Sequence, residues 1–308
     1  MDLSTRYLGL PLRHPFMPGA SPLTADINMV RRLEDADAAA IVLPSLFEED
    51  IARYERTTDR YLEHLFRVKR RVAVPVIASI NGTTPESWLR YARLIEQAGA
   101  DAIELNFYHV ATDLAEDGSA VERRVIDIVA VLKESVATPL AVKLTPFYSS
   151  LPNLAAALDR IGADGLVLFN RFYQPDIDPE RREPTWQVTL SNSSELGLRL
   201  HGLAMLAGRV KASLGVTGGV HDAIDAVKAV MAGADGVQLV SELISCGPLR
   251  LHTIKQEFAE WATGHGYTSL SEMQGRVSVQ SLGPAAFQRG NYVRLLQAAQ
   301  KTGMLIEQ

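Results

Sequence analysis

Short apolar runs separated by polar turns, rather than long amphipathic stretches, set the rhythm of this chain. Four of them share a lead-in: DADAAAIVLP from Asp35, GADAIELN from Gly99, GADGLVLFN from Gly162 and GADGVQLV from Gly233. Each follows a stretch with helical periodicity and precedes a polar turn. The glycine suits the left-handed residue that ends a helix, and the aspartate suits a loop. The β-branched run that follows is too short for a helix and too apolar for an edge strand, which predicts a buried parallel strand.

Four more runs fall between these echoes: HPFMPGA at 14–20, PVIASI at 75–80, PLAVKL at 139–144 and GVTGGV at 215–220. The intervening segments 86–97, 122–136, 153–161 and 222–231 repeat their apolar residues at three and four, as helices do. Eight alternations of strand and helix predict a (β/α)8 TIM barrel forming one domain over residues 1–308. The competing architecture, an open doubly wound sheet, normally carries a glycine-rich fingerprint after its first strand, and PGASPLTAD is a poor one.

Three segments stand outside the repeat. Residues 48–72 are highly charged and read as a solvated helical excursion after the second strand. Residues 171–197 form a polar insertion at the carboxyl end of the sixth strand, suited to a lid, in which WQVTL alternates like one arm of a hairpin. From Val277 a C-terminal extension carries the helical NYVRLLQAAQ, able to cover the barrel or to contact a second copy in a homodimer.

Composition narrows the function classes. At 308 residues and 47% hydrophobic content the chain can bury a large core. Its formal charge of −5, with no cluster of Lys and Arg, argues against nucleic acid or anionic membrane as a partner. The sole cysteine, Cys246, excludes an internal disulfide and a cysteine-bound metal centre, and reads as a buried thiol in a reducing compartment. No leader precedes LGLPLRHPF, and nowhere do about 18 apolar residues run together. The expectation is a soluble cytoplasmic protein with a small-molecule substrate.

In such a barrel the chemistry sits on loops at the carboxyl ends of the strands. Those positions hold Ser21, Ser45, Asn81, Asn106 with Tyr108 and His109, Lys143, Asn170 with Arg171, Gly218 with Gly219, and Ser241. Thr217-Gly218-Gly219-Val220 exposes backbone N–H groups ahead of a helix, beside Val240-Ser241 on the next strand end, and together they suit a phosphate. Sugar phosphates and flavin nucleotides both use such a turn. Lys143 interrupts the apolar run LAVKL, and its charge must be compensated by an anion, an electron-rich group or Glu104 on the neighbouring strand. His109 directly follows an inward-facing strand, where an imidazole could exchange a proton.

These residues in this order resemble the dihydroorotate dehydrogenase family, specifically its soluble, cytosolic class. The resemblance runs from about residue 3 to 275, through LGLPLRHPFMPGAS, IELN, AVKL, an asparagine-ended sixth strand followed by IDPE, VTGGV and AGADGVQLVSELISCGP. It implies an FMN-binding barrel that oxidises or reduces a carbon–carbon bond, as in the pyrimidine pathway's conversion of dihydroorotate to orotate. Gly218, Gly219, Val240 and Ser241 match the phosphate positions, and Ala20 and Ser21 the turn beside the flavin ring. Lys143 matches the lysine near flavin N1 and O2, where a fixed ammonium stabilises charge arriving with the hydride. Asn106 and Asn170 match asparagines that bond flavin or substrate, and Ser45 joins the cofactor-binding set.

Where the family reads Glu-Leu-Asn-x-Ser-Cys-Pro-Asn, this chain reads Glu104, Leu105, Asn106, Phe107, Tyr108, His109, Val110, Ala111. His109 therefore falls on the position of the catalytic base. Ala111 replaces a pyrimidine-binding asparagine, Leu43 a lysine facing flavin and substrate, and Arg171 a small hydroxyl residue. The flavin site is kept and the substrate site rebuilt, so the implied substrate is dihydroorotate or a related small acid. The implied electron acceptor is a soluble redox partner rather than membrane quinone. Two rivals remain: a lyase or isomerase using Lys143 as a Schiff-base amine on a sugar phosphate, and a flavin-binding homologue that no longer catalyses.

Overall fold

The aspartate of each Gly-Ala-Asp echo is a clip rather than a loop filler. Asp101 Oδ2 accepts from the backbone N–H of Val76 at 2.7 Å and from Lys69 Nζ at 2.6 Å. Asp164 Oδ2 does the same for Leu140 N (2.8 Å) and Lys133 Nζ (2.6 Å), and Asp235 Oδ2 takes the N–H of Leu214 at 2.6 Å. In every case the bonded amide lies at the start of the strand before the echo. Each unit is thus tied to its predecessor where an N–H at the sheet's lower rim would otherwise lack a partner.

A computed structural model, which describes residues 1–53, 56–82, 84–171, 176–287 and 290–301, shows what these clips assemble. After a hairpin of β1 (Thr5–Tyr7) and β2 (Leu10–Leu12) comes β3 (Phe16–Pro18), followed by α1 (Ile27–Asp35), β4 (Ile41–Phe47), α2 (Glu48–Arg53) and α3 (Thr57–Lys69). The alternation continues with β5 (Val76–Asn81), α4 (Pro85–Gln97), β6 (Ala102–Asn106), α5 (Gly118–Ser135), β7 (Leu140–Leu144), α6 (Leu151–Arg160) and β8 (Gly165–Leu168). A small hairpin, β9 (Asp176–Asp178) with β10 (Glu183–Thr185), precedes α7 (Leu196–Leu206), β11 (Ser213–Thr217), α8 (Ala223–Ala232) and β12 (Gly236–Leu239). The chain ends in α9 (Ser241–Cys246), α10 (Leu249–Gly264), α11 (Leu270–Met273), α12 (Val279–Leu282) and α13 (Gly290–Lys301).

Eight strands pair in parallel in the order β3-β12-β11-β8-β7-β6-β5-β4. The seam between β3 and β4 is bridged by Ala39 N donating to Phe16 O at 2.9 Å, which makes the sheet a (β/α)8 barrel. Asp117 and Asp222 cap α5 and α8 by accepting from Ala120 N and Asp225 N, each at 2.8 Å, contacts worth about 1 kcal/mol apiece.

The barrel's lower end is filled from the N-terminal hairpin. Tyr7 and Leu8 lie inside the barrel with Met17, Val42, Ile77, Ala102, Ala141 and Val167. A Cβ on Gly215 would stand 2.7 Å from the Tyr7 hydroxyl, and one on Gly236 3.1 Å from its ring, so both strands need glycine there. The upper half of the barrel is left for polar side chains.

The charged segment 48–72 is not simply a solvated excursion. Its helix α3 buries Leu65 and Val68, and it belongs to the outer ring as the helix between β4 and β5. In the 171–197 insertion the hairpin pairs 176–178 with 183–185, leaving WQVTL outside it, because its Trp186 and Val188 have no apolar surface to cover and stand exposed. Residues 172–175 lie outside the described residues. The start of the C-terminal extension packs on α8, with Val277 N donating to Met231 O at 2.8 Å. Cys246 is exposed rather than buried, because it ends a short helix on the surface. Among the described residues no helix is long and apolar enough to cross a membrane.

Candidate active site

Strand alternation turns Glu104 and Asn106 of β6 and Lys143 of β7 into the barrel, and pairs Asn106 with Lys143 in register. Lys143 Nζ lies 3.0 Å from Glu104 Oε1, and Gln238 Nε2 of β12 donates to Glu104 Oε2 at 2.6 Å from across the barrel. Both carboxylate oxygens are therefore satisfied. Lys143 retains 5% exposure and Glu104 none, so the ammonium is the more superficial member of the pair. The two sequence readings of Lys143, a functional cation and a partner of Glu104, describe the same arrangement.

Above this floor a line of small polar groups crosses the mouth. Ser45 and Ser79 hydroxyls lie 2.8 Å apart, Asn106 Nδ2 donates to Ser45 Oγ at 3.1 Å, and Asn170 Nδ2 donates to Asn106 Oδ1. Ser45 faces inward because β4 carries an extra residue between Val42 and Ser45 relative to β5. Beside the bulge the backbone of Ser79, still in register with Ser45, bonds a side chain. That side chain is Tyr61 of α3, accepting from Ser79 N at 2.9 Å and donating to Ser79 O at 3.0 Å. Burial pushes the Tyr61 phenol well above its usual range, so it stays a hydroxyl able to do both.

On the β3 and β12 side of the barrel two buried polar atoms are left unmatched. Ser21 Oγ and Gln238 Oε1 are buried without hydrogen-bond partners among the described residues. Gln238 Oε1 lies beside the end of β3, 3.1 Å from where a Gly19 Cβ would be, and Ala20 and Ser21 follow directly. Such atoms cost free energy unless a bound group meets them.

At the ends of β11 and β12 the backbone forms a cradle. Gly218 and Gly219 both stand at φ +82°, and a Cβ on Gly219 would lie 2.6 Å from Leu196 N. No other residue fits. Arg199, buried in α7, holds this turn by donating to Thr217 O at 2.7 Å and to Glu195 O at 2.7 Å. The Ser191 hydroxyl stands in the cradle, 2.9 Å from Ser241 Oγ, 3.1 Å from His221 Nε2 and 3.5 Å from Gly219 N. Val240 precedes α9 and lies between Gln238 and Ser241 at this rim. Burial would raise the Glu242 carboxyl, but hydrogen bonds from Arg250 and His221 hold it below its ordinary value.

His109 lies apart from both groups. Its Nε2 is 2.9 Å from Arg124 Nη1 and 3.4 Å from Glu116 Oε2, and Arg124 also pairs with Glu116. With Arg124 donating to Nε2, the ring's proton is on Nδ1. His109 lines a cavity of about 740 Å³ together with Phe107, Thr145, Tyr148 and Trp88, on the outer side of the β6 and β7 ends. Phe107 stacks on Trp88 with ring centroids 4.7 Å apart, which anchors the loop's first residue.

A comparison with known families matches residues 54–261 to the dihydroorotate dehydrogenase family. The match covers well over half of the 308 residues. The chain belongs to the dihydroorotate dehydrogenase family. It is accordingly an oxidoreductase of the dihydroorotate dehydrogenase type. Among similar proteins is the dihydroorotate dehydrogenase B (NAD(+)), catalytic subunit, of Thermoplasma acidophilum, 27% identical over 89% of this chain and 98% of its own. The protein of the same name from Pyrococcus abyssi is 27% identical over the same shares.

The three positions that the sequence reading marks as departures from the family pattern fall in different places. Leu43 is fully buried in the layer between barrel and helices and does not face the mouth. Arg171 reaches Glu195 Oε1 at 3.0 Å and Thr189 Oγ1 at 3.4 Å, tying the insertion to the end of β8. Ala111 lines the cavity beside His109. Sequence reading missed Tyr61, Ser191, Arg199, His221, Gln238, Glu242 and Arg250. Gln238 was readable as a polar residue inside the run GVQLV, and His221 from its place after Gly-Gly-Val. The others act across long sequence separations that local pattern does not show.

Proposed function

We propose that this chain is an FMN-dependent oxidoreductase that moves two hydrogens to or from a carbon–carbon bond of a small acid, dihydroorotate or a relative of it. The observation that carries the reading is the buried ammonium of Lys143, held by Glu104 in the same mouth as the Gly218–Gly219 cradle and the unmatched Ser21 and Gln238 atoms. These residues fit the cofactor. The cradle suits its phosphate, the unmatched atoms offer a donor and an acceptor to its ring, and Lys143 offers a positive charge to the ring edge that becomes electron-rich.

FMN, when bound, supplies the two-electron exchange. The chain's own residues do the rest. Lys143 provides a preorganised charge, and Glu104 with Gln238 prevents it from swinging away. Asn106 and Asn170 present amides at the mouth, and Ser45 fixes the orientation of Asn106. His109 carries the proton that accompanies the hydride, its ring oriented by Arg124, which Glu116 holds in place. The Lys143–Glu104 pair weighs against the Schiff-base rival, because that chemistry needs a neutral amine.

The relatives' names place them as NAD(+)-linked catalytic subunits. Carried to this chain, they support electrons leaving through a soluble redox partner; a homodimer is a separate part of the proposal. The test is anaerobic mixing of the FMN-loaded protein with dihydroorotate and with other small saturated acids, following flavin absorbance. Bleaching by at least one of them is expected. Indifference to all, with flavin bound and reducible by dithionite, would leave the non-catalytic reading standing, and borohydride trapping of Lys143 would favour the lyase.

A further inference from the structure

His221 follows the glycine cradle directly, and its two ring nitrogens have separate tasks. Nδ1 lies 3.0 Å from Glu242 Oε2, so it gives its proton to that carboxylate. Nε2 faces into the cradle, 3.1 Å from Ser191 Oγ. The other Glu242 oxygen accepts from Arg250 Nε at 2.7 Å, and Arg250 Nη2 donates to the His221 carbonyl at 3.1 Å. Arg250 thereby fixes both the backbone of the turn and the carboxylate that orients the ring. Asp225 secures the same stretch from below, accepting from His221 N at 3.2 Å and from Ser193 Oγ at 2.5 Å.

We infer that His221, with Ser191, is a side-chain ligand of the FMN phosphate, and that Glu242 and Arg250 are its positioning residues. This rests on the FMN reading above. Gly219 N, Ser241 Oγ and His221 Nε2 all contact the Ser191 hydroxyl, which marks the point where a phosphate oxygen would meet them. A phosphate oxygen there either accepts from a doubly protonated ring or gives its own proton to Nε2, and both put a charge-assisted hydrogen bond on the same axis. Arg250 balances the charge of Glu242, so the carboxylate orients the ring without presenting a net negative charge to the phosphate.

Ser191, His221 and Glu242 also have the connectivity of a nucleophile, base and acid. Here the Ser191 hydroxyl donates to Ser241 and retains only 7% exposure, which suits a ligand better than a nucleophile.

The experiment compares FMN with riboflavin, which lacks the phosphate, by fluorescence quenching on the wild-type protein, His221→Ala and Glu242→Gln. His221→Ala is expected to weaken FMN by roughly ten- to hundredfold, as for a lost charge-assisted hydrogen bond, and to leave riboflavin affinity within about twofold. Retained riboflavin binding also shows that the variant is folded. Glu242→Gln, which keeps an acceptor for Nδ1 but no charge, is expected to lose a smaller part of the FMN affinity and none of the riboflavin affinity. Unchanged FMN affinity in His221→Ala, or stoichiometric labelling of Ser191 by a fluorophosphonate, overturns the inference while FMN binding stands. A wild-type protein that binds neither flavin overturns the cofactor reading, and this inference with it.

Discussion

Lys143 Nζ lies 3.0 Å from Glu104 Oε1, in a barrel floor where Glu104 has no solvent exposure at all. Removing one partner from such a pair is far more costly than removing both, because the survivor keeps a desolvated charge. Lys143→Met is expected to lose about 3–5 kcal/mol of stability in urea denaturation. The double variant Lys143→Met/Glu104→Leu should recover most of it while remaining slow in flavin reduction. A stable single variant would show that Glu104 is not held charged by Lys143.

Tyr61 lies beside the β4 bulge, and its hydroxyl serves both the N–H and the C=O of Ser79. Tyr61→Phe leaves both groups buried without partners and is expected to destabilise the fold by about 1–3 kcal/mol. The loosened strand also carries Ser79, which bonds Ser45, so FMN affinity should fall with it. Equal stability of the phenylalanine variant would mean that water or a β4 group replaces the hydroxyl.

His14, at the lower rim, is held down to a pKa of about 4 by burial, which outweighs the pull of Asp37 3.5 Å away. An unfolded histidine takes up its proton near 6.5. Between those values the unfolded chain binds the extra proton, so stability is complete above about pH 6.5 and declines as the pH falls toward about 4. The decline from this residue is on the order of 3 kcal/mol. Denaturation midpoints measured across that range should show it, and His14→Asn should flatten the profile above pH 4.

His109 is oriented by Arg124, itself paired with Glu116, at the edge of the 740 Å³ cavity. As the proton carrier it should contribute about 10²–10⁴-fold to the half-reaction with substrate. His109→Ala should show that loss in stopped-flow reduction, with FMN affinity unchanged. An undiminished rate across pH would remove His109 from the chemistry.

The barrel was legible because its repeat is local: each helix end, aspartate and apolar run lies within about ten residues. The same pattern located Lys143, Asn106, Asn170, Gly218 and Gly219, since strand ends in a barrel all meet at one face. What the aspartates do was not legible, because Asp101 and Val76 or Asp164 and Leu140 meet only after the strands pair. The reading of residues 48–72 as a surface helix held for its charged outer face but missed the inner one, where Leu65 and Val68 are buried and Tyr61 bonds Ser79 of another element. Cys246 was misread because residue type alone ignores that α9 is a short surface turn. Ser191 and His221 come from distant segments, and only folding brings their polar ends to 3.1 Å.

The most direct measurement is a titration of the purified protein with FMN, followed by absorbance and tryptophan quenching. One FMN per chain, bound tightly enough to survive gel filtration and lost when Gly219→Val fills the cradle, is the expected result. A colourless protein that ignores added FMN, or one that binds it equally well with Gly219→Val, contradicts the account.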